Sequence, residues 1–301
     1  MPPARPYRPP RPGQALALAA PAGALEPAAL EEARRLLAEL VPQMPLRLDP
    51  PVLARAGYLA GPDRERADHL ARLMADPAVG AVMAARGGFG CSRLLPRLDL
   101  EALAATRCLL IGFSDLTCLL LALAGRGLMA VHGPVATQLP RLAGESRAEL
   151  ARLLRGEPLW PRELAGRPFS PGRAAGPLLG GNLTSLCHLW GTPWQPELRG
   201  AILFLEETNE PAYRLDRLLT QLELAGVWEQ VAGVAVGWLG QGEPEPPELA
   251  QVLRRRLAGL GRPVVTALPF GHGPHNRLLP VGARAELDGA AGLLRVGVDL
   301  A

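Results

Sequence analysis

The chain predicts an α/β protein in two parts: an amino-terminal domain on a parallel, Rossmann-like sheet, then a mixed α/β carboxy-terminal domain with antiparallel strands. Three observations carry this. Short apolar runs alternate with amphipathic helical patterns through the first half, the spacing of strand–helix–strand units. At 301 residues and 48% hydrophobic content, the chain exceeds the usual single-domain size and can fill two cores. The last segment, residues 278–298, breaks into short alternating runs suited to antiparallel pairing.

In chain order, residues 1–13 are rich in proline and arginine and read as a disordered tail, with residues 14–142 as the first domain. Arg5, Arg8 and Arg11 ahead of an apolar stretch imitate a secretory signal. That stretch, residues 15–20, is shorter than the roughly 7 to 15 residues of an h-region, so it reads as the first strand and the protein as cytoplasmic. Residues 27–40 make an amphipathic helix with Glu31, Glu32, Arg34 and Arg35 outward, and residues 63–74 a second helix. Residues 81–84 and 108–111 read as strands, the latter leading to Ser114, with a helix over 116–124 beyond it. In such sheets, sites form past the carboxyl ends of the strands, where Ser114 and the Arg86-Gly87-Gly88 loop both fall. Residues 143–177, rich in Arg, Gly and Pro, read as an interdomain linker. The second domain, residues 178–301, holds a helix over 182–190, a strand over 201–205, a helix over 213–224 and a strand over 231–236.

Composition narrows the function. Net charge is only +3, with no basic run interleaved with aromatics, which disfavours nucleic acid. No lysine occurs anywhere, a bias of coding rather than of chemistry. Cys91, Cys108, Cys118 and Cys187 lack CxxC spacing and read as small buried hydrophobes in a reducing compartment. The histidines show no HExxH pattern, so no metal is expected, and the Gly87-Gly88 loop lacks both the Walker and the GxGxxG spacing, so no nucleotide cofactor is either. No apolar run reaches the roughly 18 residues of a membrane span.

What remains points to acyl transfer. Ser114 stands between a strand and a helix, where a turn lifts the hydroxyl out of the sheet and leaves the helix's first N–H groups free to hold an oxyanion. Serine needs a base, and the base an orienting acid. Glu206, where an apolar strand stops at a carboxylate, and His272, between glycines that let the chain turn sharply, supply those residue types. Taken singly, Ser114 equally suits a helix cap, Glu206 a solvated strand end and His272 a turn. Arg86 offers a bidentate fork for a terminal carboxylate, or a salt bridge that holds its loop.

These motifs occur together in one order: Gly57-Tyr58-Leu59-Ala60-Gly61 with Asp63 and Arg66, Ala85-Arg86-Gly87-Gly88-Phe89-Gly90, Gly112-Phe113-Ser114-Asp115-Leu116-Thr117, His132-Gly133-Pro134, Gly180-Gly181-Asn182-Leu183, Leu205-Glu206-Glu207 with Tyr213 to Arg217, and Phe270-Gly271-His272-Gly273. In this the chain resembles the LD-carboxypeptidases, serine peptidases that include muramoyl-tetrapeptide carboxypeptidase and microcin C self-immunity peptidase. The resemblance implies Ser114 as nucleophile, His272 as base, Glu206 as its orienting acid, and an oxyanion hole from the backbone N–H of Asp115 and of Gly87 or Gly88. It also implies substrate contacts from Arg86 and Asn182, a murein peptide substrate and a homodimer. Phe89 and Phe113 stand where relatives commonly carry tyrosine, and Ala22 where they carry serine, which touches substrate affinity more than the chemistry. Two alternatives are a microcin-type peptidase acting on acyl-sulfamoyl or peptidyl adenylates, and a silent muropeptide-binding protein.

Overall fold

The computed structural model describes residues 4–240 and 247–300. The first half runs β1 (Ala15–Ala19), α1 (Pro27–Leu40), β2 (Leu46–Arg47), α2 (Asp63–Ala75), β3 (Val79–Ala84), α3 (Leu100–Thr106), β4 (Leu109–Gly112), α4 (Thr117–Gly125) and β5 (Ala130–His132). Then come α5 (Gly144–Leu154), β6 (Arg162–Ala165), β7 (Arg167–Ser170), β8 (Arg173–Asn182), α6 (Leu183–Cys187), β9 (Ile202–Thr208), α7 (Ala212–Leu224) and α8 (Val227–Gln230). The last elements are β10 (Gly233–Gly240), α9 (Pro247–Leu257), β11 (Val264–Thr266), β12 (Leu279–Val281), β13 (Arg284–Asp288) and β14 (Leu293–Val296).

Two sheets result. The first has the order β12-β5-β4-β3-β1-β2, with β1 to β5 all parallel. This 2-1-3-4-5 order is the flavodoxin-like variant of the doubly wound plan. Its inner strands are buried on both faces, as parallel strands covered by helices must be; β3, β4 and β5 are buried at every position. The second sheet is mixed: β8, β9, β10 and β11 are parallel, while β7, β13, β14 and β6 pair antiparallel.

The helices obey their apolar patterns. Proline opens α1 in its first turn, where its missing N–H costs nothing, and Leu30, Ala33 and Leu37 bury one stripe. Helix α4 is apolar all round and has one reason to be: it touches β5 on one side and β8 on the other, so it lies between the sheets. One hydrophobic cluster therefore runs through both halves, with Leu119 and Leu120 of α4, Leu178 of β8 and Phe204 of β9 in it.

Three expectations change. Residues 4–10, expected to be a disordered tail, are packed: Ala4, Tyr7 and Pro10 are buried while Arg5, Pro6, Arg8 and Pro9 face outward. Every third residue there turns inward, and the N–H groups of Arg5 and Arg8 donate to the carbonyls of Gly127 and Arg107. Arg5 pairs with Leu128 as an isolated parallel bridge, and Ala4 N–H donates to Gly282. Residues 143–177, expected as a linker, hold α5, β6, β7 and the start of β8, so three strands of the second sheet begin there. Finally, β12 leaves the second domain and lies antiparallel on β5, with Leu279 opposite His132.

Candidate active site

At the end of β4 the chain passes through extended Phe113 and turns at Ser114, φ +63, into a single 3-10 turn that feeds α4. Left-handed backbone in a serine costs about 1–3 kcal/mol and persists only when its surroundings fix it. They do so here. A Cβ on Gly112 would strike Leu116, and one on Gly87 would lie 3.0 Å from both the Cβ and the Oγ of Ser114. Glycine at 87 thus lets the loop after β3 lie against the hydroxyl. The backbone N–H groups of Asp115 and Gly88 have no hydrogen-bond partner among the described residues. The Asp115 carboxylate points inward, accepting the Cys91 N–H at 2.7 Å. Burial pushes its pKa up, against the pull of that bond.

Arg66 ties these loops together from below. Buried to 3% exposure, it donates to the carbonyls of Pro21, Gly61 and Gly90 and pairs with Asp63 at 2.5 Å. One guanidinium therefore fixes the ends of β1 and β3 and the start of α2.

Glu206 lies near the end of β9, opposite Asn182 in the parallel register. Its Oε2 is 2.5 Å from His272 Nδ1, with the carboxylate fully buried and the imidazole one-fifth exposed. Gly271 makes this possible: at φ +107 it bears no Cβ, and one placed there would lie 2.8 Å from Glu206 Oε2. The loop is held by Asn276, whose Oδ1 accepts the Gly271 N–H at 3.0 Å and whose Nδ2 donates to Gln138 at 2.9 Å. Gln138 in turn donates to the Gly271 carbonyl at 3.2 Å. The His272 ring rests 4.5 Å from that of Phe113, the residue before Ser114. Burial by itself would lower the His272 pKa, but the Glu206 charge and hydrogen bond outweigh it and leave it above the ordinary histidine value.

The structure thus brings Glu206 and His272 into direct contact and sets His272 against Phe113, beside Ser114. No hydrogen bond joins Ser114 to His272 among the described residues; such bonds are often loose before substrate binds. Arg86 is exposed and spends one donor on the Ala24 carbonyl at 2.7 Å. Asn182, expected as a substrate contact, is instead buried and committed: its Oδ1 caps α6 through the Ser185 N–H at 3.0 Å, and its Nδ2 donates to Glu207 at 2.8 Å. Its backbone N–H donates to Thr117 Oγ1 at 2.9 Å, which joins α4, the helix after Ser114, to β8.

Reading the sequence missed three supports. Phe113 as a shelf for His272 was within reach, being adjacent to Ser114. Gln138 and Asn276 were not, because 138 residues separate them and no local pattern links them. Arg66 was visible in a motif, although its reach to three loops was not.

Among the described residues, no group of three or more His, Cys, Asp or Glu side chains could hold a metal ion, and no helix is long and apolar enough to cross a membrane.

Two family profiles match, the LD-carboxypeptidase N-terminal domain over residues 16–133 and the LD-carboxypeptidase C-terminal domain over residues 175–287. The murein tetrapeptide carboxypeptidase of Pseudomonas aeruginosa is 39% identical over 91% of this chain and 93% of its own. The microcin C7 self-immunity protein of Escherichia coli is 27% identical over 77% of each chain. Among solved structures, the muramoyltetrapeptide carboxypeptidase of Oxalobacter formigenes superposes with a TM-score of 0.83 at 30% identity, covering 94% of this chain and 99% of the other. With a strained serine turn, a buried carboxylate–imidazole pair and this likeness along both halves, the chain belongs to the LD-carboxypeptidase family and is a serine carboxypeptidase.

Proposed function

We propose that this enzyme releases the terminal D-alanine from murein tetrapeptides by way of an acyl-enzyme, with Ser114 as nucleophile, His272 as base and Glu206 as the acid that orients it. The observation that carries the chemistry is the 2.5 Å contact between Glu206 and His272 Nδ1. It fixes the tautomer that leaves Nε2 unprotonated, free to take a proton from a hydroxyl.

As substrate enters, the Ser114 hydroxyl bonds His272 and attacks the carbonyl before D-alanine. His272 takes the proton, and the negative charge on the carbonyl oxygen is held by the free N–H groups of Asp115 and of Gly88 in the loop. The tetrahedral species collapses, His272 protonates the departing amine, and D-alanine leaves. Water then attacks the ester with His272 again as base. The exposed Arg86 guanidinium, one residue before the glycine that lies against Ser114, would receive the substrate's terminal carboxylate. The substrate assignment is supported by the likeness to the Pseudomonas aeruginosa enzyme. We place the reaction in the cytoplasm, where the four buried cysteines would stay reduced as they are here.

The test is mass spectrometry of a muropeptide mixture incubated with enzyme, alongside an aminoacyl-sulfamoyl adenosine. Tetrapeptide shortened by one D-alanine, with Ser114→Ala slower by at least about a thousandfold, is the expected result. Cleavage of the sulfamoyl adenylate alone would replace the murein reading with a microcin-type one. Absence of labelling by a fluorophosphonate would remove the activated serine altogether.

A further inference from the structure

His132, the last residue of β5, is fully buried and sits in a cage of aromatic rings: Phe113 at 5.7 Å, Phe204 at 5.2 Å and Phe270 at 6.2 Å between centroids. Each ring belongs to a neighbour of the triad. Phe113 precedes Ser114, Phe270 lies two residues before His272, and Phe204 lies two residues before Glu206 on the same face of β9. A fourth phenylalanine would fill such a space better than an imidazole. Burying a polar ring costs free energy unless it is hydrogen-bonded, so the histidine needs a reason.

The unpaired polar atoms of this pocket supply one. Both ring nitrogens of His132 and the Oε1 of Glu206 are buried without a hydrogen-bond partner among the described residues. A neutral imidazole has one N–H to give; a carboxylate oxygen has only lone pairs. The two are complementary, and each is the natural remedy for the other. We propose that His132 is a positioning residue of the triad: as a neutral imidazole it donates a ring N–H toward Glu206 Oε1 through one bridging water. It thereby fixes the carboxylate whose other oxygen holds His272. Burial pushes the His132 pKa down to about 4, the Glu206 charge opposing and His272 adding to the fall, so the ring stays uncharged at neutral pH. The other charged groups acting on His272 are Glu207 from β9 and Arg141 from the 3-10 turn at residues 136–141.

This inference rests on the proposed triad, and the tests separate the two. His132→Phe keeps an aromatic ring, slightly larger, and removes the N–H; His132→Gln restores an N–H donor. For His132→Phe we expect kcat and the fluorophosphonate labelling rate to fall about tenfold with KM unchanged, the loss of one charge-assisted bond. Its acid limb should move to higher pH, because a less solvated Glu206 makes the anionic Glu206–His272 pair easier to protonate. His132→Gln should recover most of the rate. Wild-type rate and pH profile in His132→Phe, or no recovery in His132→Gln, overturns the proposal. Should His132→Phe fail to fold, the ¹⁵N shifts of His132 in the wild type decide. One fixed neutral tautomer whose N–H signal moves on Glu206→Gln is expected, and indifference to that change overturns it. The NMR arm needs no turnover, so wild-type protein that resists labelling yet shows this response would sink the hydrolase reading alone.

Discussion

Ser114 pays for its exposure with a left-handed backbone, and removing the side chain should show it. Ser114→Gly deletes the proposed nucleophile but suits φ +63 at no steric cost. Relief of about 1–3 kcal/mol, less about 0.5–1 kcal/mol for glycine's freedom in the unfolded chain, predicts a dead enzyme with a Tm about 2 °C higher. Calorimetry on the purified variant reads this directly. His272 gives a second prediction at the same scale. As the proposed base it must be neutral to work, and its pKa lies above the ordinary histidine value, so the acid limb of kcat/KM should centre above about pH 6.5. Glu206→Gln removes the charge that raises it while the burial that lowers it remains. Residual activity, down by about a thousandfold or more, should therefore persist to lower pH than in the wild type. For stability the sign runs the other way: a raised His272 pKa favours the folded state below the unfolded value, and that contribution is lost as pH rises through the folded one. The residues of the proposed triad stand out in the sequence because each closes a strand or sits in a glycine turn. The bonds of Asn182 to Ser185 and Glu207 were not legible, because a capping asparagine and a ligand-binding one look alike until their partners are seen.

Between elements, stability rests on a few joints. Thr117, first in α4, accepts the Asn182 N–H at the end of β8. Thr117→Val keeps the volume but orphans that buried N–H, and a loss of about 1–3 kcal/mol in urea unfolding is expected. Gly271→Ala is a different case. A Cβ 2.8 Å from Glu206 Oε2, on backbone at φ +107, must displace the carboxylate or the loop. A kcat reduced well beyond the change in KM would register the displaced His272. Helices with long apolar periods were legible in the sequence to within a residue: α1 spans Pro27–Leu40, as its pattern predicts. Short elements were less so; the helix expected over 182–190 is α-helical only to Cys187, after which tighter turns take over, the Leu189 and Trp190 N–H groups donating to Leu186 and Cys187. Residues 4–10 and 143–177 misled for one reason: Pro and Gly suppress the two periods by which helices and strands are recognised.

Across the molecule, two domains are visible in the chain but not separable in the fold. The cluster that includes α4, β8 and β9 is continuous, and β12 completes the first sheet from the second half. A fragment ending at residue 142 would leave β5 unpaired at the sheet edge and the apolar surface of α4 bare. It should show no near-UV circular dichroism and should aggregate, whereas the whole chain should unfold in one calorimetric transition. Pairing between Leu279 and His132 leaves no local trace in sequence, which is why the segmentation suggested a looser arrangement.

The placement of β12 also orders the birth of the protein. A nascent chain leaving the ribosome presents β1 to β5 long before Leu279 emerges, so through most of translation the sheet that carries Ser114 has an open flank. Closure of that flank must wait until Leu279 has been made. Until then Ser114 lacks the imidazole of His272 that we propose as its base, and the unfinished chain is a peptidase held idle by its own topology.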